Sequence, residues 1–98
     1  MAVKIRCISK DGGNHYNAHE AITHLGWINE NTGETGKCTR LTMVKFIEDK
    51  DGKAYVKDSR GNVAYLYVRT YQSGNKFVQT YADSKYTNNL LNLLECIS

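Results

Sequence analysis

The sequence predicts an α+β fold in which a small antiparallel sheet of about four to five strands is packed by one or two short helices. Residues 3–9 alternate between apolar and polar side chains, as half-buried strands do. Two stretches of the first half repeat apolar residues at helical spacing. The second half holds strand-like stretches joined by short turns, which favours an antiparallel meander because parallel strands need long crossovers.

The first element is a strand over residues 3–9, and the turn-forming residues at positions 11–14 end it. A short helix over residues 18–25 is expected next. Asn17 can cap this helix, apolar residues repeat along one of its faces, and Gly26 can terminate it.

A polar, glycine-containing loop follows at residues 29–37. The next stretch, residues 41–49, predicts a second helix, because Thr39 can cap it and apolar residues recur at helical spacing. The same stretch contains residue types that favour strands, so a strand over residues 41–47 is an alternative.

The second half predicts strands over residues 53–58, 63–71 and 76–82. Residues 88–97 then form an apolar tail, which we expect to make one helical turn followed by a short strand. Exposed, this tail would promote aggregation, so we expect it to be buried within the monomer or in a homodimer.

Length and composition indicate a single domain over residues 1–98. The chain has 98 residues, and its 41% hydrophobic and 23% charged residues exclude a disordered protein. The net charge is +3, with the excess between Lys53 and Lys85, which favours anionic partners. No apolar run reaches the length of a membrane span, and no hydrophobic leader follows Met1. We therefore expect a cytoplasmic protein without membrane contact.

Cysteines and histidines form no recognisable catalytic or metal-binding pattern. The candidate side chains are Cys7, Cys38, Cys96, His15, His19 and His24. An odd, sparse set of cysteines argues against a disulfide framework and fits a reducing compartment, with Cys7 on the core face of its strand. We expect no metal, no cofactor and no catalytic residue. A small hydrolase using Cys38 or Cys96 is an alternative, although nothing in the local sequence activates either thiol.

One face of the strand over residues 63–71 is the most informative surface. The alternation separates a plain core face, which contains Ala64, Leu66 and Val68, from a face of tyrosines and one arginine. The candidate ligand-binding residues are Tyr65, Tyr67, Arg69, Tyr71 and Lys76. Tyrosine is enriched where an apolar ring meets a polar edge, and arginine can stack on rings or grip a phosphate or carboxylate.

Two questions about this face stay open at the level of sequence. Depending on hairpin register, it is extended either by Lys76 and Val78 or by Phe77, Gln79 and Tyr81. In the alternative interpretation the helices cover the tyrosines, which are then core residues.

Several short motifs resemble a small bacterial and phage-associated domain family of unknown function. The motifs are Ile22-Thr23-His24-Leu25-Gly26, Lys76-Phe77-Val78-Gln79-Thr80, Ala82-Asp83 and Asn89-Leu90-Leu91-Asn92-Leu93-Leu94-Glu95-Cys96. Their order and spacing cover nearly the whole chain, with one departure at Leu94, where the family usually carries proline. The resemblance implies an α+β fold and a bacterial or phage origin. It implies no catalytic residue, because the family has no settled activity.

These observations predict a non-enzymatic binding module. We expect it to recognise or sequester a nucleotide-like or other anionic ligand on the Tyr/Arg strand face, so its partner would be an anionic small molecule or a nucleic acid. The alternative is a small protein-binding inhibitor or adaptor of bacterial or phage origin. A homodimer is compatible with both, since small domains often build sites between subunits.

Overall fold

The computed structural model describes residues 2–11, 18–70, 74–82, 85–87 and 89–96. Its strands are β1 (Ala2–Lys10), β2 (Ile22–Ile28), β3 (Thr35–Thr39), β4 (Lys53–Lys57), β5 (Val63–Thr70), β6 (Lys76–Ala82) and β7 (Lys85–Thr87). Helix α1 spans Arg40–Asp49, and two short 3₁₀ segments span Ala18–Ala21 and Asn89–Asn92. No helix among these residues is long and apolar enough to cross a membrane.

All the strands belong to one 7-stranded sheet with the order β3-β2-β1-β4-β5-β6-β7. Neighbours pair antiparallel except β1 and β4, which pair parallel after the chain has passed through β2, β3 and α1. The expected antiparallel sheet of four to five strands with one or two packing helices is therefore wrong. The observed sheet is larger and mixed, and within the described residues it is packed by a single α-helix.

The expected helix over residues 18–25 is one of the errors. Only Ala18–Ala21 is helical, as one 3₁₀ turn, and the chain then continues directly into β2. A two-turn helix is marginal on its own, whereas β2 lies between β1 and β3 and pairs with both. Leu25 is fully buried opposite Ile8 in this arrangement. Long-range pairing therefore overrides the local helical pattern.

The expected loop over residues 29–37 is partly confirmed. The polar residues before Thr35 form a tight connection, in which the Gly33 N–H donates to the Asn29 carbonyl at 2.7 Å. Gly33 takes a φ of 78°, which favours glycine. The rest of the expected loop is strand β3. Its sequence is mostly polar and shows no clear alternation of apolar and polar residues.

Helix α1 is confirmed, and the alternative strand over residues 41–47 is wrong. The Thr39 hydroxyl accepts a hydrogen bond from the Thr42 N–H at 3.2 Å, as expected for the cap. Met43 and Val44 are buried against the sheet. Gly52 lies between α1 and β4, directly against the Phe46 side chain, and an added Cβ there would be 2.3 Å from the ring.

The core lies between α1 and one face of the sheet. Its buried members are Val3, Ile5, Ile8, Ile22, Leu25, Met43, Val44, Ala54, Val56, Leu66, Val78 and Leu90. The predicted meander of the second half is confirmed, since β4, β5 and β6 pair antiparallel in sequence order. β7 adds one strand that the sequence did not indicate. Helix α1 covers this face. On the opposite face Tyr65 and Tyr67 are exposed, whereas Phe77 and Gln79 are buried.

The apolar tail is tied to the core within the monomer. Leu90, in the 3₁₀ segment Asn89–Asn92, is fully buried. The Ile8 N–H then donates to the Leu94 carbonyl at 3.1 Å, and the Cys96 N–H donates to the Ile8 carbonyl at 3.0 Å. This short parallel bridge places the end of the tail beside β1.

A disulfide joins Cys7 to Cys96, with an S–S distance of 2.11 Å. The expectation that the cysteines form no disulfide is therefore wrong. Cys7 is also not a core residue, because a bulge between Ile5 and Cys7 turns its side chain to the opposite face. There the bond lies over Gly26, where an added Cβ would be 2.4 Å from the Cys7 sulfur. Linear spacing could not reveal this bond, because the sheet brings together cysteines that are 89 positions apart.

Candidate ligand-binding face

The sheet face opposite α1 carries a continuous cross-strand row of side chains. Lys4 pairs with Ile28 on one side and with Tyr55 on the other. The row continues from Tyr55 to Tyr65, from Tyr65 to Tyr81, and from Tyr81 to Tyr86. Alternation along each strand points these residues to the same side. We call Tyr55, Tyr65, Tyr67, Tyr81, Tyr86 and Arg69 the aromatic face.

The tyrosines of the aromatic face are open to solvent. Tyr65, Tyr67, Tyr81 and Tyr86 are each 40–50% exposed, whereas the intervening Leu66 is 4% exposed beneath α1. The alternative in which helices cover the tyrosines is therefore wrong for these residues. Large exposed aromatic patches on small proteins commonly mark interaction surfaces.

Ring contacts hold the tyrosines in a fixed arrangement. The Tyr67 and Tyr81 ring centroids are 5.8 Å apart, and those of Tyr81 and Tyr86 are 5.0 Å apart, both edge to face. Tyr55 and Tyr65 form a similar pair at 5.9 Å. Edge-to-face contact is a preferred geometry for aromatic pairs, and it limits the rotamers each ring can adopt. The relative orientation of the rings is therefore partly fixed.

Arg69 is held at one end of this arrangement. Its guanidinium carbon lies 4.1 Å from the centre of the Tyr86 ring and 5.7 Å from that of Phe77. Its Nη1 donates to Gln79 Oε1 at 2.8 Å, and Gln79 Nε2 in turn donates to the Thr87 carbonyl at 3.1 Å. The bond to Gln79 uses one of about five guanidinium donors. The group is thus oriented while keeping the capacity to bind an anion.

Buried His19 lies beside Arg69 and remains neutral near pH 7. Burial, reinforced by the Arg69 charge, lowers the pKa of His19 from 6.5 to about 4. Its ring centroid is 6.4 Å from that of Phe77. At neutral pH the positive charge in this region is therefore carried by Arg69.

Basic residues accompany the tyrosines across the same face. Strand alternation places Lys4, Lys37, Lys53, Lys57 and Arg69 there. Within the described strands, no carboxylate occupies a position on this face. The distribution gives the face a positive potential that favours anionic ligands.

Glu30 adds a carboxylate from the connection between β2 and β3. It accepts hydrogen bonds from the Tyr55 hydroxyl and from Lys57 Nζ, the latter at 3.2 Å. The bond from Tyr55, followed by that from Lys57, lowers the pKa of Glu30. The same bond raises the pKa of Tyr55 to about 12. The Glu30 carboxylate therefore forms an ion pair with Lys57 at the edge of the face.

An open groove of about 530 Å³ lies at the β1–β3 end of the sheet. Arg6, Gly26, Lys37 and the Cys7 end of the disulfide are among its lining residues. Arg6 and Lys37 bring two positive charges to the groove, and Glu95 brings one negative charge. Among the described residues, no group of three or more His, Cys, Asp or Glu side chains could hold a metal ion.

The structure brings together Tyr65, Tyr67 and Arg69, three of the predicted site residues. Lys76 is not among them, because Arg69 pairs with Phe77 and this register turns Lys76 to the helix side. There Lys76 Nζ bonds Glu48 Oε1 of α1 at 2.9 Å. The remaining predicted residue, Tyr71, lies outside the described residues.

The sequence reasoning missed Tyr55, Tyr86 and Glu30 as members of the site. The sequence places Tyr81 on this face in only one of the two possible hairpin registers. Alternation in the strand over residues 53–58 could have singled out Tyr55. Tyr86 and Glu30 had no such signal, because β7 is three residues long and Glu30 lies in a turn.

A family model for proteins of unknown function, DUF3892, matches residues 4–94 of the chain. The chain belongs to the DUF3892 family. The resemblance inferred from the motifs, to a small family of unknown function, is thereby confirmed. The DUF3892 match includes every residue of the aromatic face, and the family description assigns no activity. Neither the curated proteins nor the solved structures contain a match to this DUF3892 chain.

Proposed function

We propose that this DUF3892 protein is a non-enzymatic binding module that recognises a nucleotide-like ligand on the aromatic face. The observation that carries the proposal is the position of Arg69, which is held over Tyr86 beside the exposed rings of Tyr67 and Tyr81. An oriented guanidinium next to exposed rings suits a ligand that combines a planar base with a phosphate.

Base stacking supplies the first part of the expected binding energy. Stacking of a nucleobase on an aromatic side chain contributes about 1–3 kcal/mol and tolerates different bases. The tyrosines already contact one another, so little side-chain entropy is lost when a base binds.

Electrostatics supply the second part. Arg69 can donate to phosphate oxygens, and Lys53 lies on the same face near Tyr67. Both charges are fixed by strand position, so a phosphate meets them without a rearrangement of the backbone. An anion lacking a base would use only these contacts and would therefore bind more weakly.

The state of the candidate reactive groups supports a binding role rather than catalysis. Burial raises the pKa of the Cys38 thiol, so it stays protonated near neutral pH, and a thiol is a poor nucleophile in that form. Cys7 and Cys96 are joined in a disulfide, which leaves neither sulfur as a nucleophile.

The proposal is tested by NMR titration of the isotopically labelled protein with adenosine monophosphate. The largest shifts are expected at Tyr67, Arg69, Tyr81 and Tyr86. Adenosine and ribose 5-phosphate, which each lack one half of the ligand, should shift the same signals less. Absence of shifts at the aromatic face with both adenosine monophosphate and a short oligonucleotide would overturn the proposal.

Variants locate the binding site. Arg69→Gln should weaken the response, whereas the matched change Arg60→Gln, in the exposed turn between β4 and β5, should leave it unchanged. An equal response from both variants would remove Arg69 from the site. The folded state of each variant is checked from the dispersion of its amide spectrum.

A second candidate function is a protein-binding inhibitor or adaptor that uses the same face. The exposure of Tyr65 and Tyr67 favours it, because tyrosine is enriched at protein interfaces. The two candidates differ in their dependence on salt, since a ligand rich in phosphate loses affinity steeply as salt rises. Selective capture of one protein, with no response to nucleotides, would favour the second candidate.

A further inference from the structure

We infer that the ligand of the aromatic face is single-stranded nucleic acid several nucleotides long, which crosses the strands from β7 towards β1. This inference rests on the proposed function and specifies the class of ligand. Single-stranded RNA and DNA share the required chemistry, namely unstacked bases joined by phosphates.

The length of the cross-strand row is the first argument. The row runs from Tyr86 on β7 through Tyr81, Tyr65 and Tyr55 to Lys4 and Ile28. With neighbouring strands about 4.8 Å apart, it extends for about 24 Å. This is longer than a single nucleotide can cover, and it approaches the span that sheet-based single-strand sites offer.

The division of chemistry along the row is the second argument. The β5–β7 end provides tyrosines and Arg69. At the β1–β3 end, Lys4 lies on the same face, and Arg6 and Lys37 line the open groove, so that these cations outnumber the one carboxylate among the described lining residues, Glu95. A mononucleotide held at Arg69 would make no contact with Lys4, Arg6 or Lys37. A longer strand can stack bases at one end while its later phosphates lie near the cations at the other.

The openness of the surface is the third argument. Four of the five tyrosines of the aromatic face are 40–50% exposed and Tyr55 is half-buried, so they form a platform rather than a closed pocket. A platform favours a ligand that makes many shallow contacts along its length. Duplex nucleic acid keeps its bases stacked on one another and presents few base faces to such a platform.

Fluorescence anisotropy with labelled oligothymidylates and oligouridylates, from a dinucleotide to a decanucleotide, tests the inference. Affinity should rise at least about ten-fold between the dinucleotide and the hexanucleotide, as additional bases and phosphates are engaged. A duplex of the same length should bind at least about ten-fold more weakly. Comparing the two series shows whether the 2′-hydroxyl contributes.

A variant with two lysines removed tests whether the bound nucleic acid extends to the β1–β3 end of the sheet. Lys4→Gln combined with Lys37→Gln should weaken hexanucleotide binding at least about five-fold more than dinucleotide binding, because only the longer ligand reaches these side chains directly. It should also reduce the slope of log affinity against log salt by about 1.4, or about 0.7 for each lost phosphate contact. The matched control is Lys45→Gln combined with Lys50→Gln, which removes the same charge from the α1 side.

The outcomes separate this inference from the proposed function. If mononucleotides bind as tightly as the hexanucleotide, or duplexes bind as tightly as single strands, the inference is overturned while the nucleotide site stands. Equal effects of the two double variants would overturn the inferred path of the nucleic acid from β7 towards β1. If neither nucleotides nor oligonucleotides contact the aromatic face, both proposals fail.

Discussion

The guanidinium carbon of Arg69 lies 4.1 Å from the centre of the Tyr86 ring, although β6 separates their strands. The contact reaches across Gln79, which accepts a hydrogen bond from the same guanidinium. A cation over a tyrosine ring contributes about 0.5–1 kcal/mol at an exposed site and more when water is excluded. The relationship joins the charged and aromatic parts of the face into one unit.

The Arg69–Tyr86 unit should behave cooperatively in binding. Tyr86→Leu should weaken hexanucleotide binding about five- to ten-fold, because it removes both a stacking surface and the support of Arg69. In a double-mutant cycle with Arg69→Gln, the combined loss should be smaller than the sum of the single losses. The matched control is Leu41→Ala, which removes an exposed apolar side chain from α1. Strictly additive losses would show that the two residues act independently.

Removal of the Glu30 carboxylate should strengthen the binding of anionic ligands. Glu30→Gln keeps the shape of the side chain but frees Lys57 from its ion pair and removes a charge that repels phosphate. The affinity for the hexanucleotide should rise about two- to five-fold at low salt, and the gain should shrink as salt rises. Glu34→Gln, in the same connection, serves as the control. A weaker affinity would mean that Glu30 contributes to the site directly.

The stability of the protein should fall on mild acidification because of His19. Its pKa is about 4 in the folded chain and near 6.5 when unfolded, so between these values the unfolded chain binds a proton that the folded chain does not. The free energy of unfolding should therefore decrease as the pH falls from about 6.5 to 4, by up to about 3 kcal/mol. Above pH 6.5 the titration of His19 should contribute nothing to the pH dependence of the free energy of unfolding.

Urea unfolding of the wild type and of His19→Gln across this pH range measures the contribution. The variant should lack part of the decrease, since its side chain does not titrate, while His24→Gln should keep all of it. Parallel pH profiles for the wild type and His19→Gln would contradict the prediction. Carboxylates that protonate in the same range affect all the proteins alike and cancel in the comparison.

The disulfide should stabilise the fold and retain the tail. Cys96→Ser should lower the free energy of unfolding by about 2–4 kcal/mol, because the bond closes almost the whole chain and restricts the unfolded state. Hydrogen exchange should become faster at the Ile8 and Cys96 amides, which form the bridge to the tail. Cys38→Ser, at the half-buried free thiol, should have little effect on either measurement. Unchanged exchange in Cys96→Ser would show that Leu90 alone anchors the tail.

The glycine beneath the disulfide should be required only when the bond is present. Gly26→Ala places a methyl group 2.4 Å from the Cys7 sulfur and 3.2 Å from that of Cys96. We expect it to lower the free energy of unfolding by about 1–3 kcal/mol in the oxidised protein. In a Cys7→Ala background the same substitution should cost clearly less. An equal cost in both backgrounds would locate the steric conflict elsewhere in the β1–β2 pair.

Local patterns in the sequence predicted several elements well. The strand over residues 3–9, helix α1 with its Thr39 cap, and the meander of β4 to β6 are all present. Each combines a clear period of apolar residues with a recognisable turn or cap, so its conformation follows from neighbouring residues. The alternation that placed Tyr65, Tyr67 and Arg69 on one face is of the same kind.

Other features depend on pairing between distant parts of the chain. Residues 22–28 form a strand because β1 and β3 provide partners on both sides, although their local pattern also fits a helix. The disulfide forms because the tail returns to β1, which cysteine spacing cannot show. The expectation that Lys76 lies on the face with Arg69 is wrong, because a shift of one residue in a strand pairing moves every side chain of the strand to the opposite face of the sheet.

The sequence by itself determined that one strand carries Tyr65, Tyr67 and Arg69 on a single face, because alternation is a property of the strand alone. The tertiary structure decided that Tyr55, Tyr81 and Tyr86 join them and that the face stays open. Register and sheet order fix which residues lie beside one another, and the placement of α1 fixes which face is covered. Both depend on long-range contacts that no local pattern specifies.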